Sequence, residues 1–215
     1  MPGVFANDGM VDAVKKLIAE GFQKSVWHSM TAMPKGVGFE AQNDDEQVIL
    51  FLRSHPATNL HWVGLILILF FIPFFWIEFP LLSSISPMVR LALTVFWYMG
   101  LAFFAFEQLL VWFYNVYIVT NERVIDVDFY GLLYKDVKTA QISRIEDVSY
   151  AQRGLFSSFL NYGDVTVETA SEQRSDNEAE GSGAFVFEAV TNPNEVVKVI
   201  SELIEKEDNK HGVKR

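Results

Sequence analysis

Hydrophobic positions change their period three times along the chain. From Gly9 to Trp27, Met10, Val14, Leu17, Ile18, Phe22 and Val26 recur at helical spacing, with Lys15, Lys16, Glu20, Gln23 and Lys24 opposite and Asp8 at the capping position. This predicts an amphipathic helix, whose stripe suits a bilayer interface, a partner protein or the chain's own folded part. Pro34 to Glu46 is rich in Gly, Asp and Asn and reads as a linker. The period then disappears into apolar runs. Leu60 to Phe79 is long enough, at about 1.5 Å per residue, to cross a hydrocarbon core of roughly 30 Å. Trp62 and Trp76 stand near its ends and Pro73 in its last turns. A turn-like Pro80 to Pro87 leads into a second run, Met88 to about Leu110, with Trp112 and Tyr114 marking its far boundary.

Beyond Tyr114 the period becomes two. Val116 to Val119 and Arg123 to Phe129, separated by Thr120-Asn121-Glu122, predict a strand, a turn and a strand. Val137 to Ala140, Ile145 to Tyr150, Val165 to Thr169 and Phe185 to Val190 predict further strands, with Gly131, Gly154, Gly163 and Gly181 as punctuation. Residues 171–183 are acidic, lack bulky side chains and predict a loop. Asn192, Pro193 and Glu195 predict a capping-box-like helix start, followed by a stripe of Val196, Val199, Ile200, Leu203 and Ile204. That helix is suited to cover a β-barrel left partly open by six or seven strands.

Composition sharpens this division. The 215 residues include 17 basic and 27 acidic side chains, a net charge of −10, yet residues 54–118 carry only Glu78, Arg90 and Glu107. Such partition places the two halves in different solvents, and two spans joined by a turn put both termini on one side. The flanks carry Lys15, Lys16, Lys24, Lys35, Arg53, Arg123, Lys135 and Lys138, the loop only Arg90, so the termini are expected in the cytoplasm. The acidic balance argues against nucleic acid and against broad attraction to anionic lipid. No cleaved signal peptide is read at the start, and with no cysteine the chain has no disulfide or thiolate site.

A family resemblance rests on ordered short motifs. Tyr117-Ile118-Val119-Thr120-Asn121-Glu122-Arg123-Val124-Ile125 follows the apolar hairpin directly, then come Gly131-Leu132, Ile142-Ser143-Arg144-Ile145-Glu146-Asp147-Val148, Gly154-Leu155, Tyr162-Gly163-Asp164-Val165 and Asn192-Pro193. With Glu46 and Arg53-Ser54-His55-Pro56 before the first span, this order over residues 46–206 resembles the bacterial pleckstrin-homology-like (PH-like) family of small membrane proteins. The resemblance implies an α+β chain: a two-helix transmembrane hairpin, then a seven-stranded, partly open antiparallel β-barrel with a C-terminal capping helix. It implies no active site. The long arm before Asp44 and the acidic loop after Ala170 depart from the family pattern.

The resulting organisation is an N-terminal helix and linker over 1–45, a hairpin domain over 46–113 with spans near 60–79 and 88–110, a PH-like domain over 114–207 with its acidic loop, and a tail over 208–215. Trp62, Trp76, Trp112 and Tyr114 are the expected interface anchors. Arg123 is a candidate to pair with Glu122, Asp147 or a membrane phosphate, and Arg144 to form a surface pair with Glu146 and Asp147. Glu107 is interfacial if the second span is 86–106 and submerged if it is 93–113. His28, His55, His61 and His211 are scattered, and the chain lacks G-x-S-x-G, H-E-x-x-H, P-loop and dinucleotide motifs, so no catalytic residue, metal or cofactor is expected. The leading expectation is a non-enzymatic interaction or scaffolding module at the cytoplasmic face of a bacterial inner membrane. Its partners would be the lipid bilayer and another protein or further copies of the chain, with no nucleic acid. The alternatives are a subunit of a small oligomeric channel lined by Glu107 and Arg90, and a lipid-headgroup sensor using Arg123.

Overall fold

The structure, a computed structural model, describes residues 12–20, 29–34, 42–43, 45–75, 85–131, 134–169 and 184–212. Trp76, Glu78, Gly181 and the predicted acidic loop 171–183 lie outside the described residues. In chain order the elements are α1 (Asp12–Ala19), β1 (Met30–Ala32), β2 (Val48–Arg53), a 3-10 turn (Pro56–Asn59), α2 (Leu60–Phe70), α3 (Ile72–Phe75) and α4 (Pro87–Tyr114). Then follow β3 (Val116–Thr120), β4 (Arg123–Tyr130), β5 (Tyr134–Gln141), a second 3-10 turn (Ile142–Arg144), β6 (Ile145–Ala151), α5 (Leu155–Phe159), β7 (Tyr162–Thr169), β8 (Ala184–Thr191) and α6 (Pro193–His211). They divide into two compact units: residues 1–55, 115–128 and 135–215, and residues 56–114 and 129–134.

The first unit is built on two antiparallel sheets, β1-β2-β3-β4-β5 and β6-β7-β8. The expected seven-stranded barrel is therefore corrected to eight strands in two sheets among the described residues. Ile142, buried in the 3-10 turn, separates β5 from β6, which are not ladder neighbours. The sheets meet instead through the Ser54–Val190 bridge at the end of β2, where the His55 N–H also donates to the Ala189 carbonyl at 2.8 Å.

β1 and β2 come from the parts of the chain assigned on sequence to the N-terminal segment 1–45 and the hairpin domain 46–113. The reason is visible in the burial of β2. All six of its residues are buried, so Val48 to Leu52 is an unbroken apolar run without the alternation that marks a half-exposed strand. It pairs with β1 on one side and β3 on the other, placing Phe51 opposite Ile118 and Leu52 opposite Tyr117. The predicted strands of the C-terminal half all appear, each lengthened by one to four residues.

The core lies between the sheets and two helices. Leu50, Leu52, Val119, Val124, Val165, Val167 and Phe187 meet Val196, Val199 and Ile200 from α6, the stripe expected there. Phe187 stacks on Tyr117 with ring centroids 4.6 Å apart. From the other helix Ala13, Val14 and Leu17 enter the same cluster, Ala13 N–H donates to Glu202 at 3.0 Å, and Lys16 pairs with Glu195 at 3.0 Å. Of the three surfaces open to its stripe, α1 takes the chain's own fold.

Three local expectations are corrected. Gly163 is not punctuation but lies within β7, where an added Cβ would stand 2.6 Å from the Ala151 carbonyl and where the β7–β8 register slips. The capping box is not formed: Asn192 adopts a left-handed conformation (φ 51°) and accepts a hydrogen bond from the Asn161 amide, while the Glu195 carboxylate takes Lys16 and Lys198. The tail begins later than 208, because α6 continues to His211 and ends on Gly212 at φ 68°.

Candidate functional site

A polar staple closes the entrance to β2. The Glu46 side chain is fully buried, and both of its oxygens face Arg123: Nε donates to Oε1 at 2.9 Å and Nη2 to Oε2 at 2.7 Å. Thr120 Oγ1 donates to Oε1 at 2.7 Å and the Asn43 N–H to Oε2 at 3.2 Å. Burial opposes ionisation of Glu46, but the hydrogen bonds from Arg123, Thr120 and Asn43 outweigh it and hold the carboxyl below its usual range. The β3–β4 turn completes the arrangement. Thr120 Oγ1 accepts from the N–H groups of Glu122 and Arg123, and Asn121 Oδ1 accepts the Gln47 N–H at 2.7 Å. Arg123, expected to choose among Glu122, Asp147 and phosphate, thus has Glu46 as its bidentate partner. The Nε and Nη2 donors of this guanidinium are thereby committed to a buried carboxylate.

Arg144 behaves differently. It is exposed, and among the described residues no ion pair joins it to Glu146 or Asp147; the Asp147 carboxylate accepts its neighbour's Val148 N–H instead. The expected surface pair is therefore corrected.

One acidic group went unnoticed in the sequence. Asp126 stands opposite Tyr117 in the β3–β4 register and is buried, with Oδ1 accepting no hydrogen bond. Around it lie Asp128, Asp136 and Glu188, opposed by Lys138, whose Nζ is 3.7 Å from Asp128 and 3.6 Å from Asp136. Burial first, then the Asp128 charge, push the Asp126 carboxyl up to about 7. Alternation along β4 conceals this: Arg-Val-Ile-Asp-Val-Asp places Asp126 at a position that reads as solvent-facing. Among the described residues, no group of three or more His, Asp or Glu side chains is arranged to hold a metal ion.

In the helical unit two helices are long and apolar enough to cross a membrane, Pro56–Phe75 with mean hydropathy 1.9 and Pro87–Tyr114 with 1.7. The first is interrupted at Phe71. Pro73 has no N–H for the Leu69 carbonyl, which keeps only a share of the Phe71 N–H, and Phe74 N–H bonds to Phe71 rather than Phe70, so two carbonyls lose their i+4 donors. Both are recovered from α4: Trp97 Nε1 donates to Leu69 O and the Tyr98 hydroxyl to Phe70 O, each at 3.1 Å. Trp62 donates to Asn59 Oδ1 at 3.0 Å, the Arg90 guanidinium reaches the Ile85 carbonyl at 3.4 Å, and the Tyr114 ring lies 5.6 Å from Phe129. Glu107 is half-buried on α4, its Oε1 3.6 Å from where a Cβ on Gly131 would stand. Trp112, also half-buried, lies in the last turn.

The site residues named from sequence fall in both units. Arg123 belongs to a staple within the sheets and Arg144 to an open surface, whereas Glu107, Trp62, Trp112 and Tyr114 belong to the helical unit. No curated protein and no solved structure matches the chain significantly. The sequence profile described as the bacterial PH domain matches residues 60–201, from the first turn of α2 into α6. PH domains commonly mediate protein or lipid interactions and are generally not catalytic. The chain belongs to the bacterial PH domain family.

Proposed function

We propose that the chain is a membrane-anchored, non-enzymatic interaction module, with α2–α3 and α4 spanning a bacterial inner membrane and both termini in the cytoplasm. The observation that carries this reading is the state of the helical unit's side chains. No residue of α2 or α4 is buried, and Leu67, Ile68 and Phe96 are 61–70% exposed, which hydrocarbon tolerates and water does not. The recovery of both carbonyls freed at Pro73 supports it as well, because backbone groups in a bilayer must be satisfied within the protein.

The interfacial reading of Glu107 sets the hydrocarbon core, roughly 30 Å, on the twenty residues Pro87 to Phe106 and leaves the turns from Glu107 to Tyr114 beyond it. Trp112 and Tyr114 then anchor in the headgroup zone, as Trp62 does for α2. On that placement Glu107 sets no charge inside the hydrocarbon, so the channel reading draws no support from it. Arg123, engaged by Glu46, likewise offers little to a headgroup-sensing pocket. Anchoring raises the local concentration of the sheet unit for partners at the same surface, so weak contacts become effective.

The test is single-cysteine labelling of the otherwise cysteine-free chain at Ser84 and at Arg215 in intact cells, with crosslinking in native membranes. Ser84→Cys should label from outside and Arg215→Cys only after lysis, with crosslinks from the sheet unit to protein. The same labelling pattern at both sites overturns the anchoring, and crosslinks to lipid alone overturn the protein-interaction role.

A further inference from the structure

The sheet unit presents one apolar projection that its own core does not use. On α5, Leu155, Phe156 and Phe159 are 90%, 78% and 87% exposed. Among the described residues only Met88, on the candidate span α4, matches them. They occupy positions i, i+1 and i+4 of a single helical turn and so share one side of it.

This turn is held in place rather than left loose. Gly154 takes φ 102°, a conformation in which a side chain is strained, and starts the turn. Ser157 is buried beneath it and donates to the Gly154 carbonyl at 2.7 Å. The Leu160 N–H bonds to Phe156 O at 2.9 Å, and Gln152 donates to Asn161 Oδ1 at 3.1 Å, closing the base of the loop. An apolar group kept on a fixed, convex turn has an occupant in its working environment.

Charge identifies that occupant. In a chain of net charge −10, residues 148–163 contain a single charged side chain, the exposed Arg153 immediately before the apolar turn. Three large apolar side chains beside an exposed cation, with the flanking Asp147 and Asp164 carboxylates accepting the Val148 and Ala189 N–H groups, match the boundary between acyl chains and anionic headgroups. We infer that Leu155, Phe156 and Phe159 insert into the interface of the bilayer that anchors the chain, with Arg153 on an anionic headgroup, as a second, reversible membrane contact of the sheet unit. The inference rests on the membrane anchoring proposed above. That tether keeps the sheet unit at the membrane surface, so a contact too weak to recruit a free protein can persist.

The absence of native cysteine permits a direct test on the full chain. Ser158→Cys, labelled with an environment-sensitive fluorophore, is reconstituted in vesicles of phosphatidylethanolamine and phosphatidylglycerol, and resistance to carbonate extraction is read on the same sample. The expected result is a blue-shifted label quenched by shallow lipid nitroxides and shielded from aqueous iodide. Most of that lipid quenching should be lost in Leu155→Ser/Phe156→Ser/Phe159→Ser, and part of it in Arg153→Glu or in phosphatidylcholine vesicles. A label open to iodide in carbonate-resistant protein overturns the insertion and leaves the anchoring intact. A label shielded from both quenchers also overturns it, pointing to a second copy or a partner on this turn. Protein washed out by carbonate overturns the anchoring, and the inference with it.

Discussion

The two units hide polar backbone and side-chain groups in opposite ways. In the sheet unit a charge is buried: Glu46 is enclosed, and the half-buried Arg123 together with Thr120 and Asn43 satisfies its oxygens. In the helical unit almost nothing is buried, yet the carbonyls of Leu69 and Phe70 are each given a donor from the neighbouring helix. Hydrophobic side chains are abundant in both, so hydrophobicity alone does not separate them. What differs is the solvent their surfaces fit: the sheet unit withdraws its apolar side chains from water, whereas the helical unit turns them outward.

Removing the cation that faces the buried Glu46 should have the largest effect. Arg123→Met leaves the Glu46 carboxylate uncompensated and is expected to destabilise the sheet unit by about 3–5 kcal/mol, whereas Arg123→Met/Glu46→Leu should recover much of that loss. Chemical denaturation followed by near-ultraviolet circular dichroism would measure both. Equal destabilisation in the single and double variants would show that packing, rather than charge, is at stake.

Titration sharpens the contrast within the sheet unit, because its two buried carboxylates act in opposite directions. Asp126 is raised from 3.8 to about 7, so the folded state holds a proton that the unfolded state releases. Its contribution is present below about pH 4 and is lost as pH rises towards 7, up to about 4 kcal/mol by linkage. Asp126→Asn should therefore stabilise the unit at pH 8 and flatten its stability between pH 4 and 7. Glu46 is lowered from 4.5, so its contribution is present above that value and disappears as pH falls through the folded value. A pH–stability curve unchanged by Asp126→Asn would contradict the first assignment.

The docking of α1 gives a smaller and more local effect. Leu17 is fully buried in the core, and Leu17→Ala should cost about 2–4 kcal/mol while exposing the arm to protease. Limited proteolysis that cuts wild type and variant equally would show that α1 contributes nothing to the fold.

The smallest effect belongs to the helical unit. Trp97→Phe removes the donor to Leu69 O and should cost about 0.6–1.7 kcal/mol in unfolding from bilayers. In a Pro73→Ala background, the restored N–H can serve that carbonyl and the Trp97→Phe cost should vanish. Independent, additive effects would break the link between the proline and the indole.

How much of this was legible depends on the range of the interaction. The turn at Thr120–Glu122 and the pairing of β3 with β4 follow from residues within one hairpin, and the α6 stripe from neighbours three and four apart. Glu46 and Arg123 are 77 residues apart, and no periodicity connects them. Trp97 is 28 residues from Leu69 and read only as part of an apolar run. Asp126 followed the polar half of an alternation, and its burial arises from what packs on that face. The apolar turn at α5 lay beside Gly154-Leu155, noticed for its resemblance and not for its exposure.

By itself the amino-acid order determined the division into an apolar hairpin and a β-rich half, the positions of six strands, the closing helix and the family. Those features arise from backbone geometry and side-chain period, which act over a few residues. Tertiary structure decided that β1 and β2 join the sheet, that the strands form two sheets rather than one barrel, that α1 packs on its own chain and which carboxylates are buried. These outcomes depend on which surfaces meet, and contact between distant segments is set by packing and desolvation over the whole unit.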